Sequence, residues 1–308
     1  MGPLHHLSPP AKLVFLLMLI LAAFLFVLVA GMLLAWPLFH VNLLKDMKLM
    51  SDINNPGIIG FLKFLQTFQS IGLFILPPLL AGFFFEKNPV RYLGMKTLPG
   101  SQVFILTFIF LFVSLPLINW MISVNEMMKL PEFLGGVEQW MKDAEEQAAG
   151  LTEAFLKADS FTVFLINLFM IAVIPAIGEE LLFRGVLQRI LGEWFRNIHL
   201  AIFVSAFIFG AIHMQFYGFI PRMMLGVLFG YLFYWSGSIW LPVFGHFVNN
   251  ASAVVASYLA QTGIISTKYE ELGATDNIFL ILISTLFSGV ILYLIYLRSV
   301  KDQKNTIG

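Results

Sequence analysis

Long apolar segments dominate this chain and restrict its fold more than any other feature. A run of about 18 or more apolar residues is long enough to cross a bilayer as a helix. We predict spans at residues 12–39, 57–85, 102–122, 161–191, 199–213, 222–236, 242–260 and 277–297. Because the backbone must satisfy its own hydrogen bonds in hydrocarbon, the expected fold is all-α. It is a polytopic integral membrane helical bundle with about eight transmembrane helices.

The composition agrees with a membrane protein and excludes several kinds of chemistry. Only 12% of the residues are charged and 59% are hydrophobic, whereas a soluble domain carries about 25% charged residues. The net charge of zero gives no indication of a nucleic-acid partner. The chain has no Cys, which excludes disulfides, thiolate metal sites and a Cys nucleophile. The first apolar run is too long for a signal-peptide core, so we expect it to be retained as a span.

Basic residues beside the predicted spans indicate the orientation in the membrane. Those assigned to one side are Lys87, Arg91, Lys96, Arg189, Arg196, Arg298 and Lys301. Basic loops favour the cytoplasmic side, and an even number of spans places both termini there. We therefore expect a multi-pass protein of a bacterial cell membrane with both termini in the cytoplasm.

Three charged residues stand inside the apolar run 161–191: Glu179, Glu180 and Arg184. A charge at the bilayer centre costs about 2.5 kcal/mol or more, so such residues face the interior of a bundle and find partners. Glu180 and Arg184 are one helical turn apart and can pair. Glu179 points about 100° away around the helix. We expect its carboxylate to be available for another task.

Two later spans carry further polar residues at helical spacing. The segment "FIFGAIHMQ" places Phe209 and His213 at i and i+4, and "FGHFVNNAS" places His246 and Asn250 at i and i+4. Each pair therefore lies on one face of its helix. Three spans within a short stretch contribute polar groups, which favours a common site inside the membrane.

A carboxylate, two imidazoles and an amide are suited to water activation. A Glu can take a proton from water and pass it to a leaving amine, while a His orients the water. A second His and an Asn can donate hydrogen bonds to an oxyanion. Alternatively, Glu179, His213 and His246 could hold a divalent metal with an open water position. These residues leave both mechanisms open.

The three motifs resemble those of a known family. "EELLFR", "FGAIH" and "HFVNN" are similar to the EExxxR, FxxxH and HxxxN motifs of the CAAX protease and bacteriocin-processing (CPBP) family, which includes type II CAAX prenyl endopeptidases. The similarity covers about residues 161–260. It implies an endopeptidase in the membrane that acts on membrane-associated peptides or proteins. The implied catalytic residues are Glu179, His213, His246 and Asn250, supported by Glu180, Arg184 and Phe209.

Within this resemblance, Glu179 and His213 would activate water, and His246 and Asn250 would stabilise the oxyanion. The implied cofactor is either none or a divalent metal such as zinc, because family members of both kinds are described. The expected partners are the substrate and the lipid bilayer, with no nucleic acid.

The resemblance also divides the chain into three parts. Residues 1–160 would hold the first helices and a polar surface segment, 161–260 the catalytic core, and 261–308 the last span and a cytoplasmic tail. Within the first part, the polar stretch 123–160 predicts a surface helix outside the membrane, serving as a connector or as a substrate gate.

A non-catalytic scaffold or a transporter is the alternative, because charged residues inside a membrane also mark ion pathways. Transport would be favoured by an inverted repeat of two similar halves. Here the polar residues are confined to the second half.

Overall fold

The computed structural model describes residues 1–40, 55–128, 130–266 and 273–307, with side chains described up to residue 303. The regular structure of these residues is helical and contains no strand, which confirms the all-α membrane bundle. The helices are α1 (Pro9–Phe39), α2 (Pro56–Glu86), α3 (Ser101–Val113), α4 (Leu115–Glu126), α5 (Gly135–Leu156), α6 (Phe161–Phe195), α7 (Ile198–Ala211), α8 (Phe219–Ser236), α9 (Trp240–Gln261) and α10 (Ile278–Ile307).

The predicted number of eight spans is not confirmed. Within the described residues, five helices are long and apolar enough to cross a membrane, or six if the bent pair α3–α4 counts as one span. Helix α7 is apolar but short; 14 residues extend only about 21 Å. Helix α9 has sufficient length, but His246, Asn249 and Asn250 make it more polar than the five apolar helices.

Proline explains the break between α3 and α4. Their axes differ by 48°, and Pro116 stands in the first turn of α4. Proline has no N–H for an intrahelical hydrogen bond, and its ring clashes with the preceding turn. The predicted third span is therefore present as two helices rather than one.

Helix α6 is irregular on both sides of the adjacent glutamates. It contains π-helical turns at Leu168–Val173 and Leu181–Leu187, and α-helical geometry between them at Ile174–Glu180. Such widened turns are rare and occur mainly at functional sites. Pro175 lies between the two turns and removes one backbone donor.

Two glycines let other segments approach α6 closely. A Cβ added at Gly178 would lie 2.8 Å from Cβ of Phe74 on α2. A Cβ at Gly185 would lie 2.8 Å from Cδ2 of Leu93, just after the short helix Pro89–Tyr92. These glycines therefore permit close packing of α6 against its neighbours.

The polar segment contains the helix that the sequence predicts, α5. Most of α5 is exposed, but its last residues, Ala154–Leu156, are buried. Gln261 at the end of α9 donates a hydrogen bond from Nε2 to the carbonyl of Leu156 at 3.1 Å. The C-terminal end of α5 is therefore attached to the bundle.

Candidate active site

Arg184 connects α6 to α8 through buried contacts. Its side chain is 1% exposed, and that of Glu180 is 0% exposed. Arg184 Nη1 donates to Glu180 Oε1 at 3.0 Å, as the i,i+4 spacing predicts. Arg184 Nη2 donates to the carbonyl of Gly226 on α8 at 2.9 Å. One turn along each helix, Gln188 Nε2 donates to the carbonyl of Gly230 at 3.2 Å, which repeats the same contact.

Aromatic rings surround the Arg184 guanidinium. Its Cζ lies 4.8 Å from the ring centre of Phe209 and 5.6 Å from that of Phe229. Rings at this distance attract a cation electrostatically, and more strongly where water is excluded. Phe209 thus has a supporting position beside Arg184.

His246 on α9 is held by Glu180. The two atoms His246 Nδ1 and Glu180 Oε1 are 2.8 Å apart. The imidazole also stacks on Phe229, with ring centres 5.3 Å apart and planes 15° apart. A carboxylate oxygen only accepts, so Nδ1 carries the proton in this contact. The orientation of the ring is therefore fixed, and Nε2 is available for another hydrogen bond.

Glu179 differs from its neighbour because its carboxylate is not engaged. Its side chain is 13% exposed, and Oε2 lies 3.8 Å from His246 Nε2. That separation is too long for a hydrogen bond. Among the described residues, Oε2 of Glu179 is buried and has no hydrogen-bond partner. A buried acceptor without a partner is unusual in a native protein, and here it lies beside an oriented imidazole.

His213 lies just beyond the end of α7 and is partly buried. Its Nδ1 lies 2.7 Å from the carbonyl oxygen of Phe209, one turn earlier. The carbonyl can only accept, so Nδ1 is the donor and Nε2 of the neutral ring is left with a free lone pair. That lone pair can accept a proton or orient a water molecule.

The loop after His213 is fixed by α4. Asn125 donates from Nδ2 to the carbonyl of Phe216 at 2.9 Å and accepts at Oδ1 from the amide of Ile220 at 2.8 Å. Arg222 donates from Nη1 to the carbonyl of Gln215 at 3.1 Å. These contacts hold the short segment between His213 and α8.

Asn250 has a structural contact that the sequence does not reveal directly. Its Nδ2 donates to the carbonyl of Ile171 on α6 at 3.1 Å. In a regular helix, the residue that would donate to this carbonyl is at position 175, where proline has no N–H. Asn249 Nδ2 donates to Asn250 Oδ1 at 3.2 Å, which fixes the amide orientation. One N–H of Asn250 remains for a ligand.

The metal hypothesis gains no support from the donor arrangement. Glu179, His213 and His246 are the candidate ligands, yet the described part of the chain contains no group of three or more His, Cys, Asp or Glu residues that could hold a metal ion. We derive no step through a metal.

Sequence reasoning missed several residues of the site. It did not predict that Glu180 contacts His246, or that Gly226, Phe229 and Asn125 belong to the surroundings. A usable signal is the spacing of Gly226 and Gly230, because small residues at i and i+4 indicate close helix packing. Nothing in the local sequence indicates Phe229, since α8 is rich in apolar residues.

Comparisons with known proteins match the segment of the chain that contains these residues. Residues 161–252 match the family model described as type II CAAX prenyl endopeptidase Rce1-like. The uncharacterized protein YpbD of Bacillus subtilis (strain 168) is 29% identical over 109 residues, which cover 34% of this chain and 52% of that protein. The chain thus matches about half the length of this curated relative. No solved structure gives a significant match. The family resemblance of this segment, which contains all three motifs, is confirmed.

Proposed function

We propose that this protein is an intramembrane endopeptidase that hydrolyses peptide bonds of membrane-associated proteins or peptides. The observation that carries this proposal is the unpaired carboxylate oxygen of Glu179, 3.8 Å from the oriented imidazole of His246. The match of residues 161–252 to a family of endopeptidases supports it.

Glu179 is the general base in this mechanism. Its free Oε2 takes a proton from a water molecule as the water oxygen bonds to the carbonyl carbon of the substrate. His213, with Nε2 free, accepts a hydrogen bond from the same water and orients it. The protonated Glu179 then gives its proton to the amine as the C–N bond breaks, which leaves a carboxylic acid and an amine.

The oxyanion of the tetrahedral intermediate needs hydrogen-bond donors. We assign this role to Nε2–H of protonated His246 and to the remaining N–H of Asn250. Both side chains are already oriented, His246 by Glu180 and Asn250 by Ile171. Donors that are fixed before the reaction stabilise developing charge without reorganisation.

Charge balance supports one further proton in this cluster, and the proposed mechanism assigns it to His246. The buried cluster contains two carboxylates, Glu179 and Glu180, and one guanidinium, Arg184. With both carboxylates ionised, the cluster is neutral only if His246 is an imidazolium. Uncompensated charge is costly in a low-dielectric interior, so one proton is retained within the cluster, on His246 or Glu179.

The experiment compares the membrane proteomes of cells that carry the unaltered protein or Glu179→Gln. Glu179→Gln preserves the shape of the side chain and removes the base. We expect cleavage products that form only with the unaltered protein, and their uncleaved precursors with the variant. If the two strains show the same cleavage products, and cells with Glu179→Gln keep the cellular function of the unaltered protein, the scaffold hypothesis is favoured instead.

A further inference from the structure

A cleft lies at the beginning of α6, about 13 residues before Glu179 along the helix. Its volume is about 640 Å³, and it lies between α2, α6 and the segment that connects α5 to α6. Most of its lining is apolar, including Phe64, Val163, Ile166 and Met170. Two lysines also line it: Lys63, from within α2, and the exposed Lys157.

Lys63 is a buried lysine without a carboxylate partner among the described residues. It is 9% exposed, and its Nζ donates to Asn167 Oδ1 at 2.6 Å. Lys12, the other buried lysine that the structure describes, forms an ion pair with Glu193 at 2.7 Å. Asp159 lines the same cleft and attracts Lys63 electrostatically, but it is exposed and does not come within ion-pair distance of Lys63.

A buried ammonium group without a counter-charge is unfavourable, because desolvation is not offset by an ion pair. An ammonium has three N–H donors, and Asn167 accepts only one hydrogen bond from Lys63. The remaining donors therefore favour an anionic group supplied from the cleft. A carboxylate attached to an apolar chain fits both the lining and the charge.

We propose that this cleft binds a peptide segment of the substrate that is apolar and carries one carboxylate, which pairs with Lys63. The assignment to substrate rests on the proposed endopeptidase function. The cleft and the candidate active site lie on the same helix, α6: Met170 lines the cleft, and Asn250 binds the carbonyl of the next residue, Ile171.

The distance along α6 gives the position of the carboxylate relative to the bond that is cleaved. From Asn167, which contacts Lys63, to Glu179 the helix rises by about 18 Å. An extended peptide covers this distance in about five or six residues. In an active enzyme, moving a Glu by one position in a peptide therefore moves the cleavage site by one position.

Binding can be tested without catalysis, in purified Glu179→Gln. The probes are fluorescent peptides of Leu and Ala that end in a free carboxylate, end in an amide, or end in an amide and contain one internal Glu. Anisotropy should show that both carboxylate peptides bind about tenfold or more tightly than the plain amide, as expected for a hydrogen bond to a charged group. The carboxylate peptide that binds more tightly shows whether the cleft prefers a C-terminal carboxylate or a Glu side chain.

Lys63→Met should abolish the preference for carboxylate peptides over the amide peptide, whereas Lys63→Arg should retain most of it. Lys157→Met removes an exposed cation at the same cleft and should leave the preference unchanged. Asp46 and Asp52 lie outside the described residues. If Asp46→Asn or Asp52→Asn produced the same loss as Lys63→Met, the chain itself would supply the counter-charge and the proposal would be wrong.

Sodium dodecanoate tests a lipid occupant. If it binds with dependence on Lys63 while the peptides do not bind, the ligand is a fatty acid and the peptide proposal is overturned. Equal binding of carboxylate and amide peptides to the chain with Lys63 intact would also overturn it, even if Lys63→Met failed to fold. None of these results depends on hydrolysis, so they separate this proposal from the proposed function.

Discussion

Helix α6 makes two contacts that differ in what their polar groups bind. Toward α8, Arg184 and Gln188 donate to the backbone carbonyls of Gly226 and Gly230, although Oε1 of Gln188 has no hydrogen-bond partner among the described residues. Toward α9, Glu179 faces His246 at 3.8 Å and leaves an oxygen without a hydrogen bond. The α6–α8 contact therefore has the features of a structural joint, and the α6–α9 contact has those of a reaction site.

The adjacent residues Glu180 and Glu179 show the same difference at the scale of one peptide bond. Glu180 Oε1 accepts from Arg184 and from His246, so it joins the structural contact to the imidazole of His246. Glu179 is left available beside that imidazole. A pair of identical side chains can thus have different roles because successive residues of a helix point in different directions.

The largest effect on stability is expected for Arg184→Ala. This change leaves the carboxylate of Glu180 buried without its cation, which costs about 3–5 kcal/mol. Less folded protein and an earlier thermal unfolding transition are expected in detergent. Arg91→Ala is the control, since its partner Glu86 is partly exposed and Arg91 itself is 76% exposed. An Arg184→Ala variant of normal stability would mean that the α6–α8 contact is not a structural joint.

Gly226→Ala tests the close packing of α8 against α7 at the residue whose carbonyl accepts from Arg184. An added Cβ would lie 3.1 Å from Cα of Ala206 on α7, and overpacking of this kind costs about 1–3 kcal/mol. Gly289→Ala on α10 is the matched control, because a Cβ there meets no atom within 4 Å. Thermal unfolding should show a loss for Gly226→Ala alone. Equal stability of the two variants would contradict close packing of α8 against α7 at Gly226.

Asn250→Ala tests the structural part of the α6–α9 contact. Loss of the hydrogen bond to Ile171 should lower the free energy of unfolding by about 1 kcal/mol. Pro175→Ala restores an N–H within α6, so the double variant should regain stability. If Asn250 also binds the oxyanion, the double variant should stay impaired in hydrolysis. Recovery of both properties would assign Asn250 a structural role alone.

The smallest effect is expected from metal removal. Among the described residues, no group of three or more His, Cys, Asp or Glu side chains could hold a metal ion, so a chelator should leave peptidase activity unchanged. Elemental analysis of the same sample should find no stoichiometric zinc. Chelator-sensitive activity that zinc restores would return Glu179, His213 and His246 to the role of ligands.

The sequence predicts features that lie within one helix better than features that depend on packing between helices. The Glu180–Arg184 pair follows from i,i+4 spacing, and the structure contains it. The contact of Glu180 with His246 joins residues 66 positions apart, and spacing within a helix says nothing about it. The three motifs did indicate which spans contribute, because polar residues are rare in apolar helices.

The all-α fold class was likewise predicted from the sequence, but the breaks and lengths of individual helices were not. Apolar runs identify α1, α2, α6 and α10 well. The two helices that meet at Pro116 were predicted as one continuous span, and the short helix α7 was predicted as a full span. Hydropathy alone does not report the direction or the length of a helix. The bond from Asn250 to Ile171 required the position of α9, although Pro175 already indicated a carbonyl in need of a donor.

A side-by-side comparison of Glu179→Gln and Glu180→Gln tests the division between the two contacts most directly. Each purified variant is assayed for thermal unfolding and for hydrolysis of a substrate identified from the membrane proteome. We predict that Glu179→Gln unfolds like the unaltered protein and loses activity by about 10²-fold or more, as for removal of a general base. Glu180→Gln should lose stability as well as activity. Unchanged hydrolysis by Glu179→Gln, or a loss of stability equal to that of Glu180→Gln, would contradict the assignment of Glu179 to chemistry.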